Sequence, residues 1–195
     1  NSMVGCEALQ ETLTGLSNTR ASSIRVTTNT TITPTNVDGV LHTIETLIKM
    51  GSSSIGVNGI IRANRGVESK GVEPAILKEK LRDIRDLCLE AEVPFTWFTP
   101  TCYIDLDPLS LDLGVKRCSA ASIVLAIEPY GRVIPCQSYF KEGLGDGRYD
   151  SFSEMWNRPL AVALRERTWV NKKCKMCSKF AFCGGGCPLE NSDSL

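Results

Sequence analysis

The chain has a single histidine, His42, and no excess of either charge, with 22 lysines and arginines against 22 aspartates and glutamates. That balance lacks the basic footprint of a nucleic-acid-binding surface, so no nucleic-acid partner is expected. No apolar run reaches the roughly 18 residues that a membrane helix needs. The first residues show neither the basic stretch nor the apolar core of a secretion signal, which makes a cytoplasmic protein without a membrane partner the expectation. Internal repeats and low-complexity tracts are also missing. With so little histidine, a metal site would be essentially thiolate, which favours soft ions: zinc, or iron in sulfide clusters.

Cysteine is what the chain has in quantity. There are nine among 195 residues, 42% of which are apolar, enough for a globular domain with an appended module. In a reducing compartment such cysteines point to metal ligation rather than disulfides. Cys6 and Cys88 lie on apolar helical faces and read as core residues. Cys102, Cys118, Cys136, Cys174, Cys177, Cys183 and Cys187 crowd into the C-terminal half.

The first hundred residues alternate helix and strand. Cys6, Leu9, Leu13 and Leu16 share a helical face, and residues 24–33 read as a strand. Val40, Leu41, Ile44, Leu47 and Ile48 form an apolar stripe that stops at Gly51, and residues 54–61 have the length of a strand. Glu73-Pro74 opens a helix carrying Leu77, Leu81, Ile84 and Cys88, and residues 95–99 make a third strand. This order predicts an α/β unit with a parallel sheet and crossover helices. Three strands are too few to close a barrel. The open parallel edge calls for further strands upstream or for a partner chain.

From residue 102 the pattern changes. Residues 122–127 and 132–135 flank Glu128-Pro129-Tyr130-Gly131, a turn sequence, and predict a β-hairpin with Cys118 just before it and Cys136 just after it. Folding the hairpin would bring both thiols to its open end. Residues 144–147 read as a loop, and residues 152–156 and 159–167 as short helices. The tail is Cys174-x2-Cys177-x5-Cys183-x3-Cys187, with Gly184, Gly185 and Gly186 allowing the tight folding that one metal centre needs. Taken alone, these four thiols suit a structural zinc ion, an iron-sulfur cluster or a disulfide framework. A Cys-x3-Cys-Pro ending also occurs in two-cluster ferredoxins, where the last cysteine serves the other cluster.

Cys118-x12-Gly131-x4-Cys136, a gap, and then the tail pattern resemble the SPASM domain of radical SAM enzymes that modify peptides and proteins, including coenzyme PQQ synthesis proteins and anaerobic sulfatase maturases. Pro129, Val133, Pro135, Leu144-Gly145-Asp146 and Trp156 fit the same pattern. The resemblance implies the second half of a radical SAM (β/α) barrel over residues 1–101, then a small cysteine-rich α+β SPASM module with a β-hairpin over 102–195. It implies an oxidoreductase acting on a peptide or protein, with S-adenosylmethionine in the parent enzyme. Auxiliary [4Fe-4S] clusters would be held by Cys118, Cys136 and Cys187, and by Cys174, Cys177 and Cys183. Cys102 is the candidate for the first cluster's fourth ligand, its alternative being a buried free thiol.

The family's final cysteine has no counterpart after Cys187, which leaves the second cluster a ligand short, unless Asp193 serves. Asn29, Thr31 and Asn58, on strands of the implied barrel, would approach S-adenosylmethionine, or else are ordinary strand and turn formers. Lys172, Lys173, Lys175 and Lys179 would offset cluster charge or form a solvated face. The Cys-x3-Cys-x2-Cys motif that starts radical SAM chemistry is absent. The expectation is therefore a portion of a longer enzyme, inactive by itself; the alternative is a non-catalytic zinc-binding module.

Overall fold

A computed structural model describes Gly5 and residues 7–190. Cys6 and Asp193 lie outside the described residues. The chain forms two compact units: residues up to Gly59 together with Gly71–Phe98, and Ile60–Lys70 together with Thr99 onward.

The first unit is the predicted α/β layer. After α1 (Leu9–Arg20), strands β1 (Thr27–Ile32), β2 (Ser54–Gly59) and β3 (Phe95–Trp97) pair in parallel in the order β1-β2-β3. Helices α2 (Val40–Lys49) and α3 (Pro74–Glu90) supply the crossovers. The start of α3 follows from its sequence: the Glu73 carboxylate accepts from the amides of Ala75 and Ile76, and Pro74 occupies a first-turn position that needs no donor. Successive strand residues face opposite sides. Ile32, Ile55, Val57 and Trp97 are buried on the side that also hides Val40 and Ile44 of α2 and Leu81 and Ile84 of α3. The other side carries Asn29, Thr31, Gly56, Asn58 and Thr96. Gly56 is required there, because an added Cβ would come within 2.6 Å of the Phe98 ring. β1 begins at Thr27 rather than Ile24, which is 65% exposed.

The second unit is built on three short antiparallel strands, β4 (Ala126–Ile127), β5 (Arg132–Ile134) and β6 (Gly145–Asp146), in that order. The predicted hairpin is present but shorter. The Ser119 carbonyl accepts from the amides of Ser122, Ile123 and Val124, which winds residues 119–124 into a turn instead of a strand. Residues 144–147, expected to be a loop, contain β6. The Leu144 amide bonds the Val133 carbonyl at 2.7 Å and the Gly147 amide bonds that of Gly131 at 2.8 Å.

Helices α4 (Phe152–Trp156), opened by a Ser151/Glu154 capping box, and α5 (Pro159–Glu166) lie where the sequence places them. Two further single-turn helices, α6 (Lys172–Lys175) and α7 (Phe180–Cys183), carry tail cysteines. The core of this unit gathers Val133, Tyr139, Leu144, Met155, Leu164 and Trp169, with Cys187 inside it and Cys118, Cys136 and Cys174 packed against it. No described helix is long and apolar enough to cross a membrane.

Cys88 is a core residue, 1% exposed, and burial pushes its thiol up from 9.0 to about 11. The folded chain therefore keeps this proton where the unfolded chain has released it. Its share of stability is complete below pH 9 and is lost as pH rises toward 11. Urea unfolding of the metal-free chain at pH 8, 9.5 and 11 should show this fall. Cys88→Ala, less stable at every pH, should show a shallower one; an unchanged slope would place the titration elsewhere.

Candidate metal centre

The hairpin brings its flanking cysteines to one end. Just after Cys118, Ala120 bridges Val124, and the Ala121 amide donates to the Pro135 carbonyl at 3.0 Å, so the segments that carry Cys118 and Cys136 run side by side. Cys187, from the tail, lies inside the core against which both pack. A negative charge on Cys118 acts on both Cys136 and Cys187, and one on Cys136 acts on Cys187. Burial pushes the Cys136 thiol up, with Cys118 adding to the effect. The Cys187 thiol is pushed up to about 12, first by burial and then by Cys118, Glu190 and Cys136. Thiols desolvated like those of Cys136 and Cys187 keep their protons unless a cation or cluster takes the place of those protons.

Cys102, predicted as a ligand, is exposed, which goes against the alternative of a buried free thiol. Its carbonyl accepts from the amides of Asp105 at 3.1 Å and Leu106 at 2.9 Å, opening a tight turn. A Cβ placed on Gly186 would lie 4.0 Å from the Cys102 nitrogen, so this turn passes the residue just before Cys187.

The tail is a succession of turns. Asn171 caps α6 by accepting from the Cys174 amide at 2.8 Å, the Cys177 amide bonds the Cys174 carbonyl, and Cys183 ends α7. Gly184, Gly185 and Gly186 all adopt positive φ, at 59°, 87° and 78°. The Gly185 amide donates toward Cys183 Sγ at 3.4 Å. Lys179 Nζ meets Asp107 Oδ2 at 2.9 Å, an ion pair that holds the Asp107 carboxyl below its ordinary range and ties the tail to the segment after Cys102. Lys172, Lys173 and Lys175 are exposed. All eight described cysteines are free. Among the described residues, no three His, Cys, Asp or Glu side chains converge as a single metal ion requires.

The polar candidates lie on the side of the first sheet turned away from α2 and α3. Thr31 and Asn58 are register partners, and Asn58 Nδ2 donates to Thr31 Oγ1 at 2.9 Å. Asn29, two residues earlier on the same side, faces Gly56 and is exposed. One feature beside these cysteines is invisible in the sequence. Arg167, a charged residue at the end of an amphipathic helix, is only 7% exposed and donates through Nη2 to the Cys118 carbonyl.

Residues 118–178 match the family model of the SPASM iron-sulfur cluster-binding domain. This stretch is a SPASM domain. It includes Cys118, Cys136, Cys174 and Cys177, while Cys183 and Cys187 follow it. The whole chain resembles the C-terminal part of radical SAM enzymes that carry this domain. It is 23% identical over 193 residues to an AdoMet-dependent heme synthase of Methanosarcina barkeri (strain Fusaro / DSM 804), covering 91% of this chain and 55% of the relative. The structure of Streptococcus suis SuiB bound to precursor peptide SuiA superposes with a TM-score of 0.70 at 15% identity, over 93% of this chain and 45% of SuiB. That of anSMEcpe with bound AdoMet and the Kp18Cys peptide superposes with a TM-score of 0.63 at 15% identity, over 94% and 53%. The chain thus spans about half the length of the relatives it matches. The fold is that of a partial radical SAM barrel followed by a SPASM module, with the parallel sheet left open.

The bend after Cys183 needs glycine. A Cβ on Gly185 would stand 2.7 Å from Val170 Cγ2 at a φ that L side chains avoid, whereas Gly71 has nothing within 4 Å and ordinary φ. Gly185→Ala should cost about 1–3 kcal/mol in chemical denaturation, and Gly71→Ala less than about 0.5 kcal/mol. Equal effects would show that the SPASM tail is not held by this bend.

Proposed function

We propose that this chain is the C-terminal portion of a radical SAM enzyme that modifies a peptide or protein, and that its cysteines hold auxiliary [4Fe-4S] clusters. The observation that carries the proposal is the match of residues 118–178 to the SPASM iron-sulfur cluster-binding domain; that Cys118, Cys136 and Cys187, from separate segments, lie in or against one apolar core supports it. Together with Cys102, whose turn passes Gly186, they would bind the first cluster. Cys174, Cys177 and Cys183 would bind the second.

The surroundings fit such a group. The donors are soft thiols, the neighbourhood is partly desolvated, and the Nε of buried Arg167 has no hydrogen-bond partner. A tetrahedral zinc ion, with bonds of about 2.3 Å, must draw four sulfurs into near contact. The match of residues 118–178 to an iron-sulfur cluster-binding domain favours a cluster over such an ion. When bound, such clusters supply electron transfer at a potential set by the protein shell, or an open iron for substrate.

Peptide is the substrate class supported by SuiB, solved with its precursor peptide, and by anSMEcpe, solved with a peptide. The heme synthase shows that a related chain serves a different chemistry. A PQQ-synthesis-like reaction rests on the cysteine pattern alone. Asn29, Thr31 and Asn58 lie on the side of the sheet turned away from α2 and α3, Thr31 and Asn58 toward the carboxyl ends of their strands, where (β/α) barrels place active sites. They would orient S-adenosylmethionine or substrate in the full-length enzyme. The chain itself has no Cys-x3-Cys-x2-Cys motif to start the reaction.

Anaerobic reconstitution should load the chain with iron and sulfide in equal amounts and give reduced-state EPR signals. Serine at Cys118, Cys136 or Cys187 should remove one signal, and serine at Cys174, Cys177 or Cys183 the other. Stoichiometric zinc with no iron uptake would overturn the assignment in favour of a zinc-binding module. In the full-length enzyme, Asn58→Leu should raise KM for S-adenosylmethionine about tenfold, as expected for one lost hydrogen bond, at unchanged iron content. An unchanged KM would leave Asn58 as a strand residue only.

A further inference from the structure

Arg167 ends α5 with a positive φ of 58°, a left-handed conformation that disfavours any residue with a Cβ. Its side chain turns inward and is 93% hidden, being 7% exposed. Nη2 donates to the Cys118 carbonyl, while Nε, also buried, has no partner. Among the described residues no acidic side chain forms an ion pair with it. A buried guanidinium without a counter-charge is strongly unfavourable. Arg117 adds a second positive charge to its surroundings, and the neighbours whose negative charge would act favourably on it are the sulfurs of Cys118 and Cys183. Arg117 also lies against Gly184, beside Cys183. Two cations and an unused N–H donor therefore surround two cysteines, one from each predicted ligand set, and the arrangement becomes balanced only when negative charge arrives on sulfur.

We infer that Arg167 is a positioning residue for the cluster region: Nη2 fixes the backbone at Cys118, and the remaining N–H and the positive charge act on the thiolate and sulfide charge gathered at Cys118 and Cys183. This rests on the cluster assignment above. Hydrogen bonds and charges near cluster sulfur set the reduction potential. A fixed cation favours the more negative, reduced form, so losing it should favour the oxidised form.

The test compares the reconstituted chain with Arg167→Gln and Arg167→Lys, neither of which relieves the left-handed backbone. Iron and sulfide are quantified, folding is followed by circular dichroism, and potentials are read by EPR-monitored titration. Arg167→Gln should bind iron as the wild type does, yet at a fixed potential its oxidised-to-reduced ratio should rise about tenfold for at least one cluster, equal to 59 mV for one electron. Arg167→Lys, which keeps the charge, should recover most of that shift. Normal iron content with an unchanged potential in Arg167→Gln overturns this inference alone. A wild-type chain that takes up no iron overturns the cluster assignment, and this inference with it. If Arg167→Gln does not fold, Arg167→Lys decides: a potential near wild type supports the role of charge, and a shift of tenfold or more refutes it.

Discussion

The second unit depends on a conflict between thiol chemistry and burial. Cys187 sits inside an apolar core, Cys118 and Cys136 lie against it, and burial disfavours the thiolate form of Cys136 and Cys187. Ordinary core cysteines such as Cys88 settle this by staying protonated and apart from one another. Here several thiols meet, a buried arginine without a counter-charge stands beside them, and a glycine run folds the backbone around the last two. The cost of each feature taken singly is offset if the thiols are ligands, because a bound cationic iron centre replaces their protons and the resulting negative charge answers the arginine.

Local chemistry explains how segments far apart in sequence reach this place. Gly131, at positive φ, closes the hairpin turn, and its two arms deliver Cys118 and Cys136 to the open end. The added strand β6 holds the hairpin from its other edge and leads into α4 and α5, which supply Met155, Leu160 and Leu164 to the core. From the opposite direction the Lys179–Asp107 pair and the passage of Gly186 beside Cys102 fasten the tail to the segment after residue 99. The first unit follows a simpler rule. Its sheet buries aliphatic residues under α2 and α3 and turns Asn29, Thr31 and Asn58 to the other side, an arrangement suited to a barrel interior.

Much of this was legible in the sequence because it follows from periodicity and spacing. The alternation of strands and helices over residues 9–97, the Glu73-Pro74 helix start and the core role of Cys88 all depend on neighbours a few positions away. The hairpin was legible through its turn, yet its length was not. Ile123 and Val124 have strand-forming side chains, but the Ser119 carbonyl takes their amides into a turn. β6 was missed for a related reason: Gly145-Asp146 has the composition of a loop and becomes a strand only because β5 offers it an edge.

By itself, then, the sequence determined the α/β order, the thiolate character of the metal region and the cysteine pattern that marks a SPASM domain, since ligand identity and short-range spacing are properties of the chain. The tertiary structure alone decided that Cys187 lies inside the core against which Cys118 and Cys136 pack, that Cys102 is exposed, and that Arg167 is buried without a counter-charge. Those facts depend on which distant segments share a core. Desolvation and charge proximity act through space, and no pattern along the chain encodes them.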